Sequence, residues 1–353
     1  MKYGRLVFSR CYVSPTVCNA GDVIQTFAVD YIYQKMGICE QDIVEIAMEE
    51  LPTYRGEKVI LPLDGYFQYS REYPAFPTSP DIIPIFLGIY STSRQYLKPG
   101  TFWKENGPVG CRDEATFKAM QKKGYDAYLT GCMTALLPCR AAAPKNGKIF
   151  LVDAHASILK YIPQSMRSRM IKITHDIPTD PHLDSGEAVI LMRKRAKEIC
   201  TMYWEQAELV ITSRLHCAAP CIAMGIPTIV VKDGYDERFS WLDKLTHLYT
   251  PDEYEHINWS PSAVKYESHK EDLFRVAESM IRRKPNYEAL KRVHAYYMDR
   301  ERKEISPSLM VQGYIWLAQY LPGLASLIRE KVLYRFTIAS QGEAGKEGPF
   351  SHK

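Results

Sequence analysis

Apolar residues along the chain form short β-branched runs that alternate with longer segments in which they recur every three or four residues. The short runs predict strands, and the longer segments predict helices at residues 19–36, 113–123 and 187–206, with a short helix at residues 237–245. Because strands that alternate with helices form parallel sheets covered by helices on both faces, this order predicts an α/β protein. The predicted strands are residues 5–9, 42–47, 58–61, 82–89, 109–112, 128–130, 149–152, 170–174, 208–212 and 228–231.

The order of strands and helices begins again after a stretch rich in Pro and Ala, residues 138–147, which is interpreted as a linker. Residues 1–140 and 147–260 are therefore predicted to form two domains. Helices are predicted to dominate after Lys270, so residues 261–336 are expected to pack on these domains as helices. The Gly- and charge-rich residues 337–353 are expected to be a disordered tail.

An uncharged stretch, residues 305–328, is long enough to span a bilayer, but its Ser, Gln, Pro and Gly residues make it only moderately apolar. A packed helix pair that breaks at Pro322 and Gly323 is the favoured interpretation. The alternative is a surface that contacts a membrane, because basic residues follow directly. The N-terminus is interpreted as a strand rather than a signal peptide, so the expected location is the cytoplasm, including the inner face of its membrane.

The composition, with 46% hydrophobic and 24% charged residues, is that of a soluble globular protein. A net charge of +4 over 353 residues is small, which argues against nucleic acid as a partner. The nine cysteines form no C-x-x-C pair and the nine histidines form no HExxH motif, so no structural metal is expected. Several cysteines fall in apolar segments and are predicted to be buried thiols in a reducing compartment.

The segment of residues 208–231 carries the clearest candidate chemistry. It is predicted to run as strand, turn, helix, turn and strand, with Ser213 at the N-cap and Gly225 at the end of the helix. Arg214 and His216 then lie at the edge where α/β sheets bind ligands. There the helix N-terminus and Arg214 suit an anion, and His216 can transfer a proton. The structural alternative is that Arg214 pairs with a carboxylate and His216 caps a packed helix.

A glycine-containing motif, Asn19-x-Gly21-Asp22, opens the first predicted helix. Asp22 is predicted to be the N-cap of this helix, which accounts for the motif structurally. The functional alternative is that the loop around Gly21 brings the backbone close to a ligand, because glycine has no side chain in the way.

Arg112 directly follows another predicted strand, and Asp113 is predicted to cap the next helix. Arg112 either pairs with a nearby carboxylate such as Glu114 or faces Arg214 across the cleft between the domains. Two arginines at strand ends in separate domains would suit a ligand with two anionic groups.

Weaker candidates lie near other strand ends. Lys232 or Arg238 would add a third cation, and His155 is a secondary candidate for an acceptor pocket. His175 and His182 flank a loop rich in Pro and Asp and are predicted to be surface residues.

Taken in order, these elements resemble the polysaccharide pyruvyl transferase family. The resemblance covers roughly residues 5–245. It implies two Rossmann-like domains in a GT-B-like arrangement, with the active site in the cleft between them. The matching segments are N-A-G-D at 19–22, G-C-R-D-E-A at 110–115, L-T-G-C-x-T at 129–134, I-T-S-R-L-H at 211–216, G-I-P at 225–227 and Y-D-E-R at 235–238.

The resemblance also implies an activity and the residues that carry it. The expected donor is phosphoenolpyruvate, and the expected acceptor is a hydroxyl pair of a glycan or lipid-linked sugar, as in exopolysaccharide or capsule synthesis. The product would be a pyruvate ketal, and no metal or cofactor is implied. His216 is the expected catalytic residue. The expected donor-binding residues are Arg112, Ser213, Arg214, Leu215 and Arg238, and the acceptor or loop candidates are Asn19, Gly21, Asp22 and His155.

The chain departs from the family pattern at two places. Arg238 stands where the family has a lysine, which preserves the cation but changes its chemistry. Cys132 and Met133 replace the usual D-P after L-T-G, which puts a direct role for an acid at that position in doubt.

Two other functions are alternatives. A nucleotide-sugar glycosyltransferase of GT-B type would share the cationic cleft, although no Glu for the ribose is identified. A non-catalytic glycan-binding relative is the second, and the joint presence of Arg112, Arg214 and His216 argues against it. Residues 66–80, rich in Tyr, Phe and Pro, are the candidate for acceptor specificity or else a packed connection.

Overall fold

The computed structural model describes residues 1–9, 16–67, 75–91, 101–180, 182–233 and 237–299. Its strands are β1 (Lys2–Val7), β2 (Val17–Asn19), β3 (Ile43–Ala47), β4 (Val59–Tyr66), β5 (Ile82–Tyr90), β6 (Val109–Cys111), β7 (Ala127–Leu129), β8 (Lys148–Val152), β9 (Met170–Ile173), β10 (Asp176–Pro178), β11 (Ala207–Thr212), β12 (Thr228–Val231) and β13 (Leu248–Tyr249). Its helices are α1 (Ala20–Met36), α2 (Phe102–Glu105), α3 (Glu114–Lys122), α4 (Gln164–Arg167), α5 (Ser185–Gln206), α6 (Leu215–Ala223), α7 (Glu267–Ile281) and α8 (Tyr287–Met298). Short 3-10 turns connect several of them.

The strands build two parallel sheets. The first has the order β3-β1-β4-β5-β6-β7, and the second has the order β13-β12-β11-β8-β9. β4 and β5 are almost fully buried along their lengths, as expected of strands covered by helices on both faces. The predicted α/β class with parallel sheets is therefore confirmed. The domain boundaries and the GT-B-like arrangement stay predictions.

Helices from both halves of the sequence share one hydrophobic core. Ile32 on α1 and Leu215 and Ile222 on α6 belong to the same cluster of buried side chains, together with residues of α7 and α8. A second connection is the antiparallel pairing of β2 with β10, next to which the Ala20 N–H donates to the His175 carbonyl at 2.7 Å. These contacts hold the N-terminus of α1 against the second half of the chain.

The N-cap of α1 lies three positions before the predicted one. Asn19, rather than Asp22, is the N-cap, because its side-chain oxygen accepts the Gly21 N–H at 3.0 Å. Asp22 instead lies in the first turn, where its charge suits the helix dipole. The predicted end of this helix at Gly37 is confirmed.

The start of α6 differs by one position. Arg214, rather than Ser213, precedes the first helical residue, and its side chain does not cap the helix. The Ser213 hydroxyl donates to the Asp153 carbonyl at 2.5 Å instead, so it ties the strand end to β8. At α3 the prediction holds, since the Asp113 carboxylate accepts the Thr116 N–H.

The predicted helix over residues 237–245 is replaced by two 3-10 turns, Glu237–Phe239 and Leu242–Lys244. Phe239, Trp241 and Leu242 are all buried. The backbone bonds join residues three apart, from the Ser240 N–H to the Glu237 carbonyl at 3.0 Å and from the Leu245 N–H to the Leu242 carbonyl at 2.8 Å, which is the 3-10 pattern.

The C-terminal part is helical as far as it is described, since α7 and α8 fall within residues 261–336. Residues 300–336 and the predicted tail, 337–353, lie outside the described residues, as does the stretch at 305–328. In the described part, no helix combines the length and apolar character needed to cross a membrane.

The cysteines follow the prediction in part. Cys111, Cys132, Cys217 and Cys221 are buried free thiols. Cys39 and Cys139 are exposed, because they lie in connections outside the strands and helices, and Cys18 is disulfide-bonded.

Candidate active site

Three predicted site residues lie at the ends of strands or in the turn that follows. Arg112 comes directly after β6, Arg214 occupies the turn between β11 and α6, and His216 lies in the first turn of α6. His216 has non-helical backbone angles, φ −83° and ψ 16°. Residues two apart do not share a face of a regular helix, so Arg214 and His216 can reach one ligand only if Arg214 lies in the turn and His216 in the first helical turn. The structure has this arrangement.

Arg112 and His216, which come from different halves of the chain, are in contact. Arg112 Nη1 lies 3.4 Å from His216 Nε2, and the two residues are only 1% and 9% exposed. Because a guanidinium can only donate, His216 Nε2 must accept, which leaves the proton of the neutral imidazole on Nδ1. Burial and then the charge of Arg112 hold the pKa of His216 well below its usual value, with smaller contributions from Arg238 and His175.

The remaining nitrogens of the Arg112 guanidinium are also held. Nε donates to the Gly88 carbonyl at 3.2 Å, and Nη2 donates to Gln25 Oε1 at 2.5 Å. Nη2 also lies 3.6 Å from Asp64 Oδ1. The alternative that Arg112 pairs with a carboxylate holds, but the carboxylate is Asp64 rather than Glu114, which pairs with Lys118 on the same helix.

Asp64 is a site residue that the sequence analysis missed. Its Oδ2 accepts hydrogen bonds from Cys132 Sγ at 3.3 Å and from the Met133 N–H at 3.0 Å. Burial raises the pKa of Asp64 to about 6, although the Arg112 charge and the hydrogen bonds from Cys132 and Met133 oppose this shift. One signal was present in the sequence, since Asp64 is the single acid in the apolar run Val59–Tyr66, near its carboxyl end.

Arg214 pairs with two carboxylates, as its structural alternative proposed. Nε donates to Asp153 Oδ2 at 3.0 Å, and Nη2 donates to Asp176 Oδ1 at 2.9 Å. Burial alone would lower the pKa of Arg214, but the charges of Asp153 and Asp176 outweigh it and raise the pKa. The side chain is still one third exposed. Whether it binds the same ligand as Arg112 stays a prediction.

Gly21 brings the N-terminus of α1 directly against His216. A Cβ atom at this position would lie 3.0 Å from His216 Cβ and 3.2 Å from His216 Nδ1, which is closer than ordinary packing. The motif around Asn19 and Asp22 therefore brings the backbone close to a candidate catalytic side chain. A direct role of this motif toward a ligand stays a prediction.

The other predicted site residues differ in burial and in how they relate to His216. Arg238 is part of a 3-10 turn, and its charge contributes to the low pKa of His216. Leu215 is buried in the shared core, where it packs rather than lines a binding surface. His155 is exposed, and its Nδ1 accepts the Ser157 N–H at 3.2 Å, so the contacts around His216 do not include it.

His175 was predicted to be a surface residue, and this prediction is wrong. It is fully buried, with Nε2 at 2.8 Å from the Tyr203 hydroxyl and its N–H donating to Asp153. The reason is the pairing of β10 with β2, which covers this turn with the start of α1. In the described part of the chain, no group of at least three His, Cys, Asp or Glu side chains is arranged to hold a metal ion.

The family model described as polysaccharide pyruvyl transferase matches residues 102–234. The matched segment contains Arg112, Arg214 and His216. This match confirms the family resemblance that the motifs indicate, and it points to a polysaccharide pyruvyl transferase. Comparison with curated proteins finds no match.

Two solved structures are similar at low level. An uncharacterized protein, KP1_0663 from Klebsiella pneumoniae, is 15% identical, with a TM-score of 0.39 over 68% of this chain and 88% of that chain. The S. aureus MnaA structure with UDP is 9% identical, with a TM-score of 0.36 over 83% of this chain and 91% of that chain. Both scores are too low to support an argument about function.

Proposed function

We propose that this chain transfers a pyruvyl group from phosphoenolpyruvate to two hydroxyls of a sugar in a glycan or lipid-linked glycan precursor. The observation that carries the proposal is the buried contact between Arg112 and His216, at 3.4 Å, within the segment that matches the family. A permanent cation beside a neutral imidazole is suited to an anionic donor whose reaction needs proton transfer.

The charges around His216 support an anionic donor. Phosphoenolpyruvate carries a carboxylate and a phosphate, and both would be stabilised by Arg112 and Arg238, the two cations that lower the pKa of His216. Arg214 sits at the N-terminus of α6, where the helix dipole also favours an anion. Asp153 and Asp176 hold Arg214 in place, as Asp64 holds Arg112, so we assign both arginines to donor binding.

The proposed reaction has two stages. In the first, one sugar hydroxyl attacks C2 of the enol, its proton leaves, and a proton is delivered to C3. In the second, phosphate departs from C2, the second hydroxyl takes its place, and the proton that this hydroxyl loses passes to the departing phosphate. The products are the cyclic ketal and inorganic phosphate, and no oxidant or reductant is needed.

His216 is assigned the proton transfers. Because its pKa is held well below the usual value, the imidazole of the free protein is neutral at pH 7. Nδ1 already carries its proton, so Nε2 would accept a hydroxyl proton once a bound anion takes up the hydrogen bond of Arg112 Nη1. The imidazolium formed in this way can then protonate C3. The guanidinium of Arg112, which is held in place before the donor arrives, would stabilise the departing phosphate without rearranging.

Residues 66–80 are the candidate for acceptor recognition, and their aromatic side chains lie in different surroundings. Phe76, in the loop of residues 66–80, is packed against Phe67, Phe86 and Trp103, which favours the packed-connection alternative for that part of the loop. Tyr66 stacks on Tyr90 at the carboxyl ends of β4 and β5, with ring centroids 5.2 Å apart. Residues 68–74 lie outside the described residues.

Calorimetric titration of phosphoenolpyruvate tests the donor directly. We expect the wild type and Arg193→Ala to bind it and Arg112→Ala to lose binding; Arg193 is the control, because it pairs with Asp30 away from His216. Uridine and adenosine diphosphates are titrated in parallel. Binding of a nucleotide without binding of phosphoenolpyruvate would overturn the proposal in favour of a nucleotide-sugar transferase.

A further inference from the structure

Asp64 lies at an irregularity in the pairing of its strand, β4, with β5. The register between β4 and β5 shifts between Leu63 and Asp64, so that Asp64 pairs with Gly88. Such an irregularity re-aims the side chains that follow it. Here it directs a carboxylate into the interior, where the side chain has no exposed surface.

The space around this carboxylate is closed. A Cβ atom at Gly88 would clash with Asp64 Oδ1 and would lie 2.6 Å from the Gly131 carbonyl, so only glycine fits opposite Asp64. Asp64 Oδ2 is held by the Cys132 thiol and the Met133 N–H. Oδ1 has no hydrogen-bond partner among the described residues, and its neighbour is the Arg112 guanidinium at 3.6 Å.

These contacts leave the guanidinium one orientation. Gly88 fixes Nε, while Gln25 and Asp64 fix Nη2, so Nη1 is turned toward His216. A buried arginine needs a counter-charge, and Asp64 is the acid that forms an ion pair with it. If the carboxylate were neutralised, the guanidinium would keep two neutral acceptors and lose its charge partner.

We propose that Asp64 is a positioning residue, whose carboxylate, held by the Cys132 thiol, fixes the Arg112 guanidinium against His216 Nε2. It thereby sets both the direction in which Arg112 meets an anion and the tautomer of His216. This inference deepens the proposed function and rests on it for the identity of the anion. The proposed effect of Asp64 on the tautomer of His216 does not depend on which anion binds.

The first experiment compares Asp64→Asn with Asp30→Asn. Asp30 is a matched control, because its carboxylate also holds arginines, Arg5 and Arg193, and does not contact Arg112 or His216. We expect Asp64→Asn to raise the Kd for phosphoenolpyruvate about 10- to 100-fold, because the guanidinium loses the buried counter-charge that orients it. Asp30→Asn should leave the Kd unchanged, and thermal unfolding checks that both variants are folded.

The second experiment needs no ligand. In protein labelled with ¹⁵N-histidine, the His216 signals are assigned by their absence in His216→Gln. We expect the wild type to carry the proton on Nδ1, and Asp64→Asn to shift the proton toward Nε2, because Arg112 no longer donates steadily to that atom. Cys132→Ala, which removes a donor to Asp64 without removing a charge, should shift the tautomer in the same direction by a smaller amount.

The two experiments separate the two proposals. Unchanged affinity and an unchanged His216 tautomer in a folded Asp64→Asn variant would overturn the positioning role. If the wild type binds no phosphoenolpyruvate, the proposed function fails, and the tautomer shift alone then decides whether Asp64 positions Arg112.

Discussion

Gly21 is the residue at which the first helix meets the candidate base. Gly21→Ala would place a methyl group 3.0 Å from His216 Cβ, so the imidazole must move by a few tenths of an ångström. We expect pyruvyl transfer to fall about 10-fold or more, since small displacements of a catalytic group are costly. The measurement is the steady-state release of phosphate from phosphoenolpyruvate in the presence of acceptor.

Gly186→Ala is the matched control, because Gly186 is also the second residue of a helix, α5, and meets only the cap residue Asp184 at 3.3 Å. This variant should keep full activity and gain a few tenths to about 1 kcal/mol of helix stability. Equal activity of the two alanine variants would show that the contact between Gly21 and His216 is not needed.

His216→Gln separates proton transfer from donor binding. Glutamine can still accept a hydrogen bond from Arg112, but it cannot carry a proton at neutral pH. We expect turnover to fall about 100- to 10,000-fold, the range for the loss of a general base, while phosphoenolpyruvate still binds. Turnover near the wild-type value in a folded variant would remove the proton-transfer assignment.

At the level of single residues, the sequence identified Arg112 and His216 but not Asp64 or His175. Arg112 lies at a strand end before a capped helix, and His216 lies in the first turn of a helix that follows a strand, where position alone suggests a role. Asp64 and His175 depend on contacts that are distant in sequence, with Arg112 and with Ala20. No local pattern specifies such contacts, and a polar residue in an apolar strand only indicates that a partner exists.

Helix α3 begins at a buried N-cap carboxyl, Asp113, so we expect the stability of the protein to depend on pH. The Asp113 carboxylate accepts hydrogen bonds from the Thr116 N–H and hydroxyl, at 2.9 Å and 3.0 Å. Burial raises the pKa of Asp113 to about 7 in spite of these bonds. A carboxyl whose folded pKa lies above its unfolded pKa stabilises the fold at low pH and loses this contribution as the pH rises through the folded value.

We therefore expect the wild type to lose stability relative to Asp113→Asn between pH 5 and pH 8, by about 3 kcal/mol at most. Urea unfolding of both proteins at the two pH values measures the difference. Asp184→Asn, the same change at the exposed N-cap of α5, controls for the loss of a cap as such. A difference that is the same at both pH values would contradict the prediction.

The apolar pattern predicted which strands and helices the chain forms, but it predicted less well where each of them begins and ends. Each predicted strand and long helix has a counterpart in the structure, and the caps at α1 and α6 were misplaced. Asn19, Asp22 and Ser213 are all good N-cap residues, so propensity does not distinguish them. The choice depends on the pairing of β2 with β10 and on the bond from Ser213 to Asp153, which are tertiary contacts.

For the whole molecule, the sequence predicted two sheets but not how their helices pack. Arg112 and His216 are 104 positions apart, and their contact exists because α1 and α6 share one core. The family resemblance associated these residues with one function without indicating that they touch. The pairing of Arg214 with Asp153 and Asp176 was predicted only in general terms, as the alternative in which Arg214 pairs with a carboxylate.

The assembled site also predicts how donor binding changes the protonation of the protein. Burial and the charges of Arg112 and Arg238 keep His216 neutral. A bound anion would offset the charges of Arg112 and Arg238 and raise the pKa of His216 toward its usual value. Binding at pH 7 should therefore draw a fraction of a proton onto the imidazole, and this uptake should grow as the pH falls toward 6.

Calorimetry in buffers with different ionisation enthalpies measures this uptake, because the observed heat changes with the number of protons exchanged. Phosphoenolpyruvate itself contributes, since a phosphate ester has a second pKa of about 6 and arginines favour its ionised form. His216→Gln reports that contribution alone, so the difference between wild type and variant belongs to His216. A positive difference that declines above pH 7 is expected. If the two proteins exchange the same number of protons at every pH, the anion does not act on His216, and the donor must bind away from the Arg112–His216 contact.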